Sequence, residues 1–412
     1  MTLTFGPFSL TTEESRLTCD GVEVRLRRRE ALTLQVLIRH MGEFVHADVI
    51  MAEAWEGAHV SRHTVHVTIA ELRQHLGEYA GWLVHRSKIG YALDVPGLQD
   101  MVRRGWHFWS LRTRGGYERA IECFQRAIGT SPSDSRAFDG LSASYLALGV
   151  FGMRAPLEVY PRFLEAHGQA VALGGSRPEL RSNLGFGLCV FEHRPQESEA
   201  EFLRALDEKP SLGSVYVRLA MLYGSLGRFD EAFDVLRRGR RHDPLLPTLA
   251  AAEVLVCCWQ RDFATAITRG RQGVDLHPYL LALRVNYAHA LYFAGRLEDA
   301  LAQYQIASTM SPDEPCVRAL EGVCHAALGR LDDARAKVRE LEVLRRTQYV
   351  DAYYIAVLHI ALGEPQAALE DLNRASVENS AYLYALDVNP RFDALRDDPA
   401  FRRLCRNHVT RH

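Results

Sequence analysis

The chain has 412 residues, 47% hydrophobic and 24% charged, an ordinary globular balance with ample material for a core. That length suits two or three domains, or one domain followed by a long repeat array. A net charge of −2 excludes a broad basic field, so any nucleic-acid binding must come from a local patch. The first residues, MTLTFGPFSLTTEESR, lack the charged-then-apolar layout of a signal peptide, and no run of about 18 apolar residues offers a membrane span. The eight cysteines form no CxxC pair and read as small buried thiols in a reducing cytosol, with no disulfide frame or zinc site.

Residues 3–26 run in short apolar bursts with a turn at Asp20-Gly21, which predicts three or four short strands. From Arg28 to Met41 the apolar residues Ala31, Leu32, Leu34, Val36, Leu37 and Ile38 predict a helix with one buried face, and Gly42 follows as its stop. Ala47 to Trp55 predicts a second, short helix. Ser61 is the N-cap of a third that runs to about Leu76, with Gly77 after it and apolar positions at Val65, Val67, Ile69, Leu72 and Leu76. Trp82 to Val95 predicts a β-hairpin with Lys88-Ile89-Gly90 near its tip. Strands, three helices and a closing hairpin are the layout of an α+β winged helix, assigned to residues 1–97. That span holds ten Lys or Arg against twelve Asp or Glu, a poor balance for a DNA binder. Its seven histidines add charge only near or below pH 6.5.

Residues 101–412 carry internal repeats. Pro210, Pro244, Pro278 and Pro312 are each 34 residues apart. Twelve residues before them stand Ser198, Ala232, Ala266 and Ala300, and five before them Ala205, Gly239, Gly273 and Ala307. Gly227-Arg-Phe-Asp-Glu-Ala and Gly295-Arg-Leu-Glu-Asp-Ala occupy one phase. Small residues mark where two helices approach closely, and the proline ends the second helix of each unit. A single hairpin cannot bury its apolar face, so neighbours stack. A 34-residue period in this phase is the tetratricopeptide signature, an all-α superhelix. Ala120, Phe124, Ala127 and Pro132 repeat the spacing earlier, and ten extra residues fall between Leu148 and Glu165. Gly329-Arg-Leu-Asp-Asp-Ala and Gly363-Glu-Pro-Gln-Ala-Ala mark two later hairpins, and the tail from Val388 reads as a polar cap over the last one. Tyr216, Tyr223, Tyr287, Tyr292 and Tyr304 pack between hairpins or line a ligand face; the pattern does not sort them.

Phe5-Gly-Pro-Phe, the helix at 28–41, the run Val60-Ser-Arg-His-Thr-Val-His-Val-Thr-Ile-Ala-Glu-Leu-Arg73 and Gly90-Tyr91 together resemble the OmpR/PhoB-type winged helix over residues 3–95. The continuation resembles the tetratricopeptide region of regulators related to CadC and HilA, without a transmembrane helix. The resemblance implies a bacterial transcription regulator with double-stranded DNA as one partner, a protein or effector on the repeats as another, and tandem sites or a homodimer. It implies a third helix in the major groove and the hairpin wing in the minor groove. By position it places His63, Thr64, His66, Thr68, Ala70, Glu71 and Arg73 on the outer face of that helix, Arg62 and His63 near its N-terminus where phosphate contacts are favoured, and Arg86 and Lys88 on the wing. No cofactor is expected, and His63 and His66, three residues apart, show no third ligand that would make them a metal site. The chain departs from the family at Ala70 and Glu71, where basic residues are frequent, at Ser87-Lys88 in the wing, and at Arg27-Arg28-Arg29 at the start of the first helix. A scaffold whose winged helix docks protein instead of DNA is the alternative reading. No Walker loop, GxGxxG, GxSxG or HExxH is found, so an enzyme is not expected.

Overall fold

The structure, a computed structural model, describes residues 2–19, 22–55, 60–95, 97–312 and 314–408. The turn expected at Asp20-Gly21 lies outside the described residues. By compactness the chain divides into Met1–Tyr145 with Phe163–Ser176, and Leu146–Arg162 with Arg177–His412.

The first unit opens with four short strands, β1 (Thr2–Phe5), β2 (Phe8–Thr11), β3 (Arg16–Cys19) and β4 (Val22–Arg25), in one antiparallel meander. Leu3, Phe5, Phe8, Leu10 and Leu17 alternate onto its buried side, as period-2 patterning requires. Three helices follow: α1 (Arg28–Arg39), α2 (Ala47–Trp55) and α3 (Arg62–Leu76). Leu34, Leu37, Ile50, Val65, Ile69 and Leu72, on all three helices, are wholly buried and form their common core. The wing is β5 (Leu83–Arg86) paired with β6 (Gly90–Leu93), and Tyr91 exchanges two backbone hydrogen bonds with Val45. Next comes the hairpin α4 (Leu98–Ser110) and α5 (Arg114–Thr130). The loop after α5 holds the outer edge of the sheet: Thr4 N donates to Ser133 Oγ at 2.6 Å, and Ser131 Oγ donates to Thr4 O at 3.2 Å. This compact unit takes in α4 and α5 together with the strands, the three helices and the wing.

Helices α6 (Ser135–Val150) and α7 (Pro156–Gly174) each contribute to both units. Here the ten extra residues are accommodated by a 19-residue α7 and by the five-residue turn before it.

The second unit contains six further hairpins: α8 (Pro178–Val190) with α9 (Pro195–Glu208), α10 (Gly213–Ser225) with α11 (Phe229–His242), α12 (Pro247–Gln260) with α13 (Phe263–Leu276), α14 (Leu281–Phe293) with α15 (Leu297–Met310), α16 (Pro315–Ala327) with α17 (Leu331–Leu344), and α18 (Ala352–Ala361) with α19 (Pro365–Val377). The small-residue register is explained by contact. Ser198, Ala232, Ala266 and Ala300 are completely buried. A Cβ on Gly239 would lie 2.7 Å from Tyr216 Cβ, so that crossing admits no side chain. Gly227, Gly295, Gly329 and Gly363 close the first helix of their hairpins at φ between 73° and 77°, a left-handed stop that glycine adopts without strain. Tyr216, Tyr223, Tyr287 and Tyr304 are buried packing residues.

After α19 come two 3-10 turns, Ala381–Ala385 and Pro390–Leu395, and α20 (Pro399–His408). The tail was expected to be a polar cap over the last hairpin, and the structure corrects its polar character. Leu383, Leu386, Phe392, Leu395, Phe401 and Leu404 enter the same core as α16 to α19. The segment also runs back along the first helices of earlier hairpins: Tyr384 packs edge-on against Trp259, Arg261 donates to Asp393 at 2.8 Å, and His408 bonds His193 at 2.7 Å. Contacts between residues more than a hundred positions apart leave no periodic trace in a sequence.

Candidate nucleic-acid interface

Helix α3 buries Val65, Thr68, Ile69, Leu72 and Leu76. What it leaves exposed follows from the 3.6-residue turn: Arg62, His63, His66, Val67, Ala70 and Gln74 share the outer face. Thr68 is corrected here. It is only 6% exposed and its hydroxyl donates to Thr64 O at 2.9 Å, so it faces the core. Val67 was assigned to the core from its period, yet it is 41% exposed. Val67 and Ala70 give the outer face apolar contacts of the kind a thymine methyl accepts. Thr64 is half-buried at the start of the face.

The basic residues divide into those already engaged and those not paired with an acid. Arg62 donates to both carboxylate oxygens of Asp48, at 2.9 and 2.7 Å, and that hydrogen bonding holds the Asp48 carboxyl below its ordinary range. Arg27 donates to Glu71 at 2.8 Å, which neutralises the acid that departs from the family pattern. Arg29 donates to Ala54 O at the end of α2. Arg27 and Arg29 thus tie the start of α1 to α3 and α2. Arg73 Nε donates to Leu83 O at 3.0 Å and fixes the first strand of the wing. Arg73 is half-buried, and among the described residues it makes no ion pair.

The wing is anchored in the same way. Gly90 has φ +140°, and a Cβ there would fall 2.0 Å from Val45 O, so only glycine lets β6 lie against residue 45. His66 Nδ1 bonds Tyr91 Oη at 3.1 Å, and the His85 ring stacks on Tyr91 with centroids 4.6 Å apart. Burial raises the Tyr91 phenol above its ordinary value, against a smaller opposing pull from Arg73. Arg86 lies over the Phe44 ring at 4.9 Å, and Lys88 stands exposed at the tip with φ +63°. Among the described residues neither is paired with a carboxylate. Among the described residues no group of three His, Cys, Asp or Glu could hold a metal ion.

Residues 21–93 match the family described as "Transcriptional regulatory protein, C terminal". Residues 287–349 and 213–239 match tetratricopeptide-repeat families. The chain joins a transcriptional-regulator domain of the OmpR/PhoB type to tetratricopeptide repeats. The DNA-binding domain of E. coli CadC is similar at 25% identity over 23% of this chain and 92% of its own, with a TM-score of 0.22. A monomeric IFIT1 mutant with Gppp-AAAA is similar at 16% identity over 76% of each chain, TM-score 0.53, which shows a shared fold for the repeats. Pseudomonas aeruginosa PilF is similar at 16% identity over 56% of this chain and 98% of its own, TM-score 0.37. No curated protein matches the chain. No described helix of the winged-helix domain or the repeats is long and apolar enough to cross a membrane.

Proposed function

We propose that this protein is a cytoplasmic DNA-binding transcription regulator, with domain 1–97 reading duplex DNA and the repeats of 101–412 receiving a protein partner or effector. The observation that carries the reading is the match of residues 21–93 to the transcriptional-regulator domain, joined to an α3 whose outer face is open. Helix α3 enters the major groove, where His63, His66 and Gln74 offer hydrogen-bonding edges and Val67 and Ala70 offer methyl contacts. The wing enters the minor groove, with Arg86 and Lys88 beside the backbone. Arg62 and Thr64 at the helix start face phosphate, favoured there by free backbone N–H groups. Two chains on tandem half-sites form the bound homodimer.

DNA selected from a random pool by the full-length protein provides the test. Gel shifts on the selected duplex should exceed those on scrambled sequence by about a hundredfold or more, within the range usual for specific binders. The double variant Arg86→Ala/Lys88→Ala should weaken both duplexes and reduce the slope of log affinity against log salt by about 2, roughly 0.9 per lost phosphate contact. Equal binding to selected and scrambled duplex would overturn the reading.

A further inference from the structure

Arg391, in the second of the two 3-10 turns after α19, occupies a seat made by α14 and α15. Its Nη2 donates to His289 Nδ1 at 2.8 Å and to Tyr304 Oη at 3.1 Å. Its guanidinium lies 4.9 Å from the Tyr292 ring centroid and 5.1 Å from that of Phe293. Among the described residues no carboxylate pairs with it, and its buried Nη1 has no hydrogen-bond partner. His289 stays neutral, since burial and the neighbouring Arg391 both lower its pKa well below the ordinary value. A guanidinium removed from water without a counter-ion is a poor choice for stability alone. The seat, however, suits a guanidinium: two acceptors and two ring faces.

The residues flanking Arg391 are seated in the same manner. Asn389 Nδ2 donates to Tyr353 Oη on α18 at 2.8 Å. Phe392 packs edge-on against the Tyr353 ring, centroids 5.5 Å apart. Asp393 accepts from Arg261, which ends α12, at 2.8 Å. Four of the five residues 389–393 therefore touch three hairpins through their side chains, in the way a bound peptide would.

We propose that Ser380–His408 is an intramolecular ligand of the repeat array, and that the surface it covers receives a partner peptide carrying arginine, then an aromatic, then an acidic residue. This rests on the reading that the repeats bind a protein partner. The tail competes at the high effective concentration of a tethered segment, so a free partner must outbid it or bind when it is loosened.

The probe is a fluorescein-labelled peptide with the sequence of residues 387–396, added to the full-length protein. The variant Arg391→Met, which keeps most of the side-chain volume, should bind the peptide at least tenfold more tightly than the unmodified protein does. Arg261→Ala, which frees Asp393 at an exposed contact, should do the same to a smaller degree. A peptide with alanine in place of its arginine should bind none of the three. If Arg391→Met fails to fold, hydrogen exchange on the unmodified protein decides: saturating peptide should speed exchange across 381–396. Equal peptide affinity for all three proteins, or no effect on exchange, overturns the proposal. A dimer formed by exchange of tails, and dissolved by Arg391→Met or by Arg261→Ala, overturns the assignment to a partner peptide. DNA binding is measured on the same samples. Its loss beside intact peptide displacement would reject the regulator reading alone, and the reverse outcome would reject this inference alone.

Discussion

Two helical faces in this chain have opposite fates. The outer face of α3 carries Arg62, His63, His66, Val67, Ala70 and Gln74 and is left open. The surface that presents Trp259, His289, Tyr292 and Tyr353 on α12, α14 and α18 is covered by the chain's own tail. Both belong to amphipathic helices whose apolar period was readable. The difference shows what a period conveys: which side of a helix is buried, not what buries it. For α3 the cover is local, supplied by α1 and α2. For the repeats part of it arrives from residues 381–408 across long sequence separations.

The largest expected effect tests whether that cover is part of the array. Phe392 is fully buried, packed against Tyr353 and Phe401. Phe392→Ala should cost about 3–5 kcal/mol, the usual range for emptying such a site. Urea unfolding followed by far-ultraviolet circular dichroism should show the repeat transition moving to lower denaturant. An unchanged transition, with faster hydrogen exchange confined to the tail, would mean that the segment is only an appended arm.

On the open face, Arg73 separates positioning from contact. Arg73→Ala leaves the carbonyl of buried Leu83 without its donor, at a cost of about 1–3 kcal/mol. The melting temperature of the winged-helix domain should fall by several degrees, and DNA affinity should fall with it as the wing shifts. Arg86→Ala/Lys88→Ala should reduce affinity and salt slope with the melting temperature unchanged. A drop in affinity for Arg73→Ala at constant melting temperature would instead make Arg73 a direct DNA contact.

The contrast also explains what was readable beforehand. The strands, α2, α3 with Gly77 as its stop, the wing and the 34-residue hairpins were legible because they follow local rules of alternation, capping and spacing. Thr68 was misplaced because a helix face was carried over from a family pattern, while the packing of α3 turns it inward; Val67 was misplaced because an apolar side chain in the helix was taken as buried. Arg27 gave no sign of its partner, since Glu71 is 44 residues away. The tail read as polar because its charged residues are frequent in sequence, although its large apolar residues Leu383, Leu386, Phe392, Leu395, Phe401 and Leu404 turn inward.

Acid should loosen the covered face first where two histidines meet. Burial, and then the charge of His408, push the His193 imidazole down to about 4 from an ordinary 6.5. The folded state therefore favours the neutral ring, and the stability this gives is full above pH 6.5 and is lost as pH falls from 6.5 through about 4. Asp351 acts with the opposite sign. Burial raises its carboxyl to about 6, so its contribution is full below pH 3.8 and is lost as pH rises through about 6. The net profile is shallow, so the measurement is a difference. His193→Asn, which tolerates the left-handed backbone at φ +53°, should remove the acid-side loss relative to the unmodified protein in thermal melts between pH 7 and 4. Parallel profiles for the two proteins would mean that the His193–His408 contact does not respond to pH in this range.

The smallest effects compare one kind of ion pair on the two faces. In the repeats Arg228 donates to Glu199 of the preceding hairpin at 3.0 Å, pairs with Glu231 and lies 4.1 Å over the Tyr223 ring. Arg330 repeats the device with Glu298. These pairs are partly solvated, so Arg228→Ala should cost on the order of 1 kcal/mol or less, diminishing in high salt. Beside the open face Arg62 is held by Asp48 in the same chemistry. There the pair withholds a cation from the proposed phosphate contact. Asp48→Ala should leave the melting temperature nearly unchanged and raise DNA affinity several-fold, with a salt slope steeper by about 0.9, one added phosphate contact. Arginine–carboxylate pairs of like geometry then have different consequences, because only beside α3 does breaking the pair release a charge toward the proposed path of the DNA. An unchanged salt slope for Asp48→Ala would place Arg62 away from that path and leave the wing as the only basic edge of the interface.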